Sequence, residues 1–197
     1  MSARQLPRLT ERQYLDIEHA AEFKSEFYQG RMYAMGGASR FHNRIQQNLN
    51  RRIEVALDDT CCQSFPSDMR VKIGKESLYT YLDLIVVCGT PEFAENSFDT
   101  LLNPKVIIEV VSPSTEQRDK IAKFEHYIQL ETVKEYLLVS QDQPRVQRYS
   151  RKDDGQWLIS IYDSLVQVIE FSSIPVQLKL ADIYARVTFD EDGPQLR

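Results

Sequence analysis

The chain has 197 residues, enough for one domain (1–197) with a sizeable core, and 42% hydrophobic and 27% charged residues are ordinary for a soluble globular protein. Its net charge of −5 argues against a broad basic nucleic-acid surface, although acidic metal ligands count toward that total and a bound divalent ion changes the local sign. No apolar run approaches a membrane span and Met1-Ser2-Ala3-Arg4-Gln5 leads into no signal-peptide core, so the expectation is a cytoplasmic protein with no membrane partner.

Taken in chain order, Thr10 to Ala21 reads as a short helix capped by Thr10 and paced by Tyr14, Leu15 and Ile17. Glu26 to Met35 alternates around Gly30, a hairpin signal. Gly36-Gly37-Ala38-Ser39 breaks that strand and offers Ser39 as an N-cap. Beyond it Ile45, Leu49, Ile53 and Leu57 recur at helical spacing, opposite Arg44, Gln47, Arg51 and Glu54, so this helix packs one side on a sheet. Strands are expected near Gln63 to Phe65, Asp68 to Ile73 and Leu82 to Cys88, and the polar stretch Thr90 to Asn103 reads as a loop or short helix. Cys61, Cys62 and Cys88 form no Cys-x-x-Cys, which indicates neither a disulfide framework nor a zinc site and leaves them as small buried hydrophobes.

Val106 to Val111 is apolar apart from Glu109, as suits a central strand covered on both faces. Ser114 and Gln117 have capping-box spacing for a helix running to about Leu130, and Glu135 to Val139 is another apolar strand. Strand, helix, strand in that order implies a right-handed crossover joining a parallel pair. Val146 to Tyr149, Trp157 to Tyr162 and Val166 to Phe171 read as a β-meander turning at Asp153-Asp154-Gly155, and a short helix near Leu180 to Tyr184 closes the chain.

The chemistry rests on two carboxylates in apolar strands: Asp83 in Leu82-Asp83-Leu84-Ile85-Val86-Val87 and Glu109 in Val106-Ile107-Ile108-Glu109-Val110-Val111. An ionised carboxylate is costly to bury unless paired or bound to a metal. If their strands are neighbours, the two acids could ligate Mg2+ or Mn2+ beside a phosphate, polarising it and activating a water. In the following helix Lys120, Lys123 and Tyr127 share a face, and Asp119 lies one turn before Lys123. A lysine there could stabilise developing charge, and spacing alone does not choose between Lys120 and Lys123.

Glu26 with Gly30, Met35 to Ser39 followed by His42, Leu82-Asp83, Glu109 to Thr115, Asp119, Lys123, Tyr127 and Glu135-Tyr136 together resemble the Uma-type restriction-endonuclease-like proteins of the PD-(D/E)XK nuclease superfamily. The resemblance runs over most of the chain and is most specific from Glu109 to Tyr136. It implies an α/β (α+β) restriction-endonuclease-like fold, a mixed central sheet flanked by helices with a C-terminal β-meander. It also implies a metal-dependent endonuclease site in which Asp83 and Glu109 bind the metal, Glu26 is a third acid and Lys123 is the lysine. Two positions depart from the pattern: Leu82 stands where the family has Pro before the first acid, and Val111 stands where the superfamily has Lys.

The function expected on these grounds is Mg2+- or Mn2+-dependent hydrolysis of DNA, with a homodimer as a natural way to place two sites on two strands. Three rival readings accompany it: a nuclease scaffold that binds nucleic acid or protein without turnover, buried acids that simply pair with core Lys or Arg, and, for Asp83 alone, a strand-edge carboxylate facing water. Glu26 also reads as a hairpin charge, and His42 as a structural or a substrate-facing histidine. Arg145, Arg148, Arg151 and Lys152 form either a phosphate-contacting strip or alternating charges on an exposed strand.

Overall fold

The computed structural model describes residues 8–74, 78–95, 99–112, 123–190 and 193–196. The expected helix at the N-terminus is α1 (Glu11–Ala20), and Thr10 caps it through a reciprocal capping box with Gln13. The hairpin follows as β1 (Ser25–Tyr28) and β2 (Arg31–Ala34). Gly30, at φ +81°, makes its turn at a point where an added Cβ would meet the Arg8 Cβ at 2.6 Å. Next comes α2 (Arg40–Leu57), which starts where Ser39 Oγ accepts the His42 N–H and buries Ile45, Leu49, Ile53 and Leu57.

The strands β3 (Cys62–Pro66), β4 (Arg70–Ile73), β5 (Leu78–Tyr81), β6 (Leu84–Cys88), β7 (Thr100–Leu101) and β8 (Val106–Val111) come next. Residues 123–127 are helical and form α3. Beyond them lie β9 (Glu135–Ser140), β10 (Val146–Arg151), β11 (Trp157–Tyr162), β12 (Val168–Glu170), β13 (Gln177–Lys179), α4 (Leu180–Ile183), β14 (Val187–Asp190) and β15 (Gly193–Leu196). The proposed Ser114–Gln117 capping box, Asp119 and Lys120 lie outside the described residues.

A six-stranded mixed sheet, in the order β11-β10-β9-β8-β6-β3, forms the centre. Its one parallel pair is β8 with β9, in register Glu109↔Leu138, as the strand-helix-strand reading requires. A five-stranded sheet, β2-β1-β5-β4-β7, carries the N-terminal hairpin. On one face of the central sheet α2 packs with Leu84, Val86, Ile108 and Val110. On the other, Ile85, Ile107, Tyr136 and Leu138 pack with α3 and with β4 and β5 of the second sheet. The fold is therefore a mixed α+β sheet flanked by helices.

Several expectations need correction. Cys62 and Cys88 are not merely small buried hydrophobes: they face each other across β3 and β6 and are joined by a disulfide, while Cys61 is free and exposed. Adjacent pairing on antiparallel strands brought these cysteines together, and spacing in sequence does not reveal that. The meander is β9-β10-β11 alone, because β12 leaves it to pair with β13. Leu78–Tyr81 and Thr100–Leu101 are strands that the short, interrupted sequence pattern did not show. Asp83 is not inside a strand: β6 begins at Leu84, and Asp83 occupies the bend before it.

Candidate active site

Alternation along β8 decides where Glu109 goes. Ile108 and Val110 turn toward α2, so Glu109 turns to the opposite face, where α3 and the hairpin β1-β2 meet. Its side chain is only 9% exposed. Lys123 Nζ donates to Glu109 Oε1 at 3.1 Å, Tyr127 Oη donates to the same oxygen at 3.2 Å, and Tyr136 Oη donates to Oε2. Lys123 and Tyr127 are four residues apart on α3 and so reach the same point. Tyr136 reaches it because β9 runs parallel to β8 and positions 136 and 138 share a face.

Glu26, on β1, completes the cluster. Lys123 Nζ lies 3.5 Å from Glu26 Oε1, which also accepts a hydrogen bond from Thr80 Oγ1. The ammonium thus sits between two carboxylates. Glu109, then Tyr127 and Glu26, hold the Lys123 pKa well above the ordinary lysine range in spite of the opposing effect of burial. Burial first, and the neighbouring Glu109 charge second, push the Tyr127 and Tyr136 phenols well above theirs.

Asp83 stands at the strand end beside this group but faces the other way. Its Oδ2 accepts the Val110 N–H at 2.7 Å and lies 3.1 Å from His42 Nε2, and its carbonyl accepts from Gln46 Nε2 at 2.9 Å. His42 and Gln46 lie one turn apart on α2, so the Ser39 cap that sets the start of that helix also sets both contacts. Nδ1 of His42 is buried and has no partner among the described residues. Asp83 lines a cleft of about 660 Å³ with Gly36, Gly37, Ser39, His42 and Gln141. Glu26 and Lys123 border a smaller, mainly apolar pocket of about 230 Å³ with Tyr28, Tyr33, His126 and Tyr127.

The structure therefore brings Glu26, Glu109 and Lys123 together and, among the described residues, links Asp83 to them only through the Val110 N–H, one residue from Glu109. Among the described residues no group of three or more His, Cys, Asp or Glu side chains is disposed to hold a metal ion. The His42–Asp83 contact settles that histidine on the strand-end acid. Sequence reasoning assigned no role to Tyr136, although Glu135-Tyr136 was among the residues carrying the resemblance, and none to Thr80; both reach the acids across strands, which spacing along the chain does not show. The basic strip does not exist as an exposed phosphate track. Arg148 is buried against Glu135, and Arg151 donates to the carbonyls of Ile128, Leu130 and Glu131 at the end of the α3 segment.

A mixed sheet with a helix on each face, and an acid in an interior strand meeting a lysine of the helix that covers it, defines a restriction-endonuclease-like fold. The family model described as "Uma2: Putative restriction endonuclease" matches residues 12–182, and the chain belongs to that family. Two relatives come from Synechocystis sp. (strain ATCC 27184 / PCC 6803 / Kazusa). "Uncharacterized protein sll1609" is 38% identical over 168 residues, covering 85% of this chain and 95% of its own. "Uncharacterized protein slr1290" is 33% identical over 183 residues, covering 93% and 95%. A solved structure, described as a putative nuclease belonging to DUF820 from Anabaena variabilis ATCC 29413, superposes with a TM-score of 0.72 at 19% identity. It covers 88% of this chain and 96% of its own, a likeness of fold. No helix among the described residues is long and apolar enough to cross a membrane.

Proposed function

We propose that this protein hydrolyses phosphodiester bonds of DNA with Mg2+ or Mn2+ held by Asp83 and Glu109, Glu26 serving as a third acid and Lys123 assisting. The observation that carries this reading is Glu109: a carboxylate in the middle of a buried strand, held against a lysine and a second acid at the edge of a pocket. Buried acids with charged partners in a cleft are what functional sites collect. The donors suit a hard divalent ion in kind, being carboxylate oxygens, one from within β8 and one from the bend that leads into the adjacent β6, and both Asp83 side-chain contacts fall on Oδ2 rather than Oδ1. When bound, the ion would polarise the phosphate and acidify an attacking water.

The chain's own residues do the rest. Lys123 has a raised pKa, so it is an ammonium at neutral pH and acts by stabilising charge on a phosphate oxygen, not by removing a proton. His42 and the Val110 N–H hold Asp83 at the cleft wall, and Tyr127 and Tyr136 fix the rotamer of Glu109. A second reading, a nuclease scaffold that binds nucleic acid or protein without turnover, is favoured by one observation. Asp83 is engaged by His42 and Glu109 by Lys123, so the acids are paired internally.

The test is cleavage of supercoiled plasmid, linear duplex, single-stranded DNA and RNA with each metal, together with melting temperature against metal concentration. The reading expects cleavage of DNA that drops at least about 100-fold in Asp83→Asn, Glu109→Gln and Lys123→Met. It also expects a metal-dependent rise in melting temperature that is lost in Asp83→Ala and Glu109→Ala. Folded protein that cuts nothing and gains no stability from either metal would leave the binding reading standing.

A further inference from the structure

The outer edge of the central sheet carries an apolar surface that neither the fold nor the site uses. Among the described residues β11 is the last strand of that sheet and pairs only with β10, in an unbroken register from Arg151↔Trp157 to Val146↔Tyr162. Its sequence is Trp-Leu-Ile-Ser-Ile-Tyr, with no charge, no proline and no glycine. Leu158 is 46% exposed on one face of the strand, while Ile159 and Ile161 are 56% and 49% exposed on the other. The turn that follows adds Leu165 and Val166, the latter 86% exposed.

Proteins normally blunt a free sheet edge with lysine, proline, a bulge or a very short strand. The opposite edge of the same sheet follows that rule: β3 ends on Pro66 and carries Gln63 and Ser64. β11 has none of these devices over six residues and is apolar on both faces, which is the character of an interaction surface.

We propose that the β11 edge is a self-association surface, on which a second copy of this chain adds its own β11 antiparallel to make one continuous sheet through a two-fold dimer. The strand is its own complement. A two-fold axis normal to the sheet at Ser160 sets Ile159 opposite Ile161 of the second copy on one face and Leu158 opposite Tyr162 of the second copy on the other. Cross-strand aliphatic and aromatic pairs of this kind stabilise antiparallel sheets. An isologous contact closes at two copies, which leaves no free edge at this end of the sheet. The chain's net charge of −5 disfavours close approach of two copies in general, but β11 brings no charged side chain into the strand-to-strand contact.

The experiment is sedimentation velocity and light scattering of the full chain from about 1 to about 100 µM, for the parent, Ile159→Lys, Ile161→Lys and Val55→Lys. Val55, on α2, is a still more exposed apolar residue outside β11. Circular dichroism and urea midpoints confirm that each variant is folded, and Ile161→Lys carries the test if Ile159→Lys does not fold. The expected result is a parent species of twice the 23.0 kDa chain mass, a dissociation constant raised at least about tenfold by either β11 lysine, and no change with Val55→Lys. A parent that stays monomeric, a dimer indifferent to both β11 lysines, or a mass that climbs without limit with concentration would each overturn the proposal.

Discussion

Lys123→Met is expected to destabilise the fold by about 2–3 kcal/mol, through the carboxylates it leaves behind. The ammonium lies 3.1 Å from Glu109 and 3.5 Å from Glu26, and Glu109 has almost no contact with water. Removing one partner of a buried ion pair costs about 3–5 kcal/mol because the remaining charge is stranded. Two features of this site lower that figure: Tyr127 and Tyr136 still donate to Glu109, and Lys123 itself is 28% exposed, so water reaches the gap. For a chain of this length the loss is a fall in melting temperature of roughly 5–10 °C. Glu109→Gln removes the charge along with the need for a counter-ion and is expected to cost less, about 1 kcal/mol. The double variant Lys123→Met/Glu109→Gln is then less damaged than the sum of the singles, with a coupling of at least about 1 kcal/mol. Thermal scans and urea midpoints at neutral pH without divalent metal measure all three. A melting temperature unchanged or raised in Lys123→Met, or strict additivity in the double variant, would refute the account of Glu109 as a buried charge held by this lysine.

Arg148→Met is expected to cost about 3–5 kcal/mol, since Glu135 is fully buried and would keep only its bonds from the Ser172 and Ser173 N–H groups and the Ser173 hydroxyl; a urea midpoint within error of the parent would contradict this. Gly30→Ala puts a Cβ against Arg8 at positive φ, so a loss of about 1–2 kcal/mol is expected, read by the same measurement, with no loss counting against the turn geometry. Alkaline pH should weaken the fold. Burial pushes the Tyr81 phenol up to about 12, with further effects from Arg70 and Glu18, and the Lys123, Tyr127 and Tyr136 values are raised too. A raised folded pKa means stability that is whole below the unfolded value of about 10 and falls as pH rises through the folded one, because the unfolded chain gives up its protons first. Stability should therefore be level in these groups up to about pH 9 and decline between about 10 and 12, with a shallower decline in Tyr81→Phe. An equal slope in that variant would remove Tyr81 from the explanation.

Much of this molecule was legible in one dimension because the signals are local. The cap residues Thr10 and Ser39 start α1 and α2 where a side-chain oxygen three residues before a free N–H can accept from it. The period of Ile45, Leu49, Ile53 and Leu57 names the face that α2 buries, and the unbroken apolar runs around Glu109 and after Glu135 mark two central strands whose intervening helix makes them parallel. A carboxylate inside such a run advertises itself, and the i, i+4 spacing of Lys123 and Tyr127 places both on one side of a helix. What sequence could not supply was register and direction across strands. Only the paired sheet puts Tyr136 and Thr80 at the acids, joins Cys62 to Cys88, and buries Arg148 rather than exposing it. The same holds for Asp83: a one-residue end to β6 turns its carboxylate toward His42 on α2 while Glu109 turns toward α3. Side-chain period is a property of each strand by itself, whereas which two side chains meet depends on how far strands slide past one another and where each one stops, and those distances are fixed only when the whole core packs.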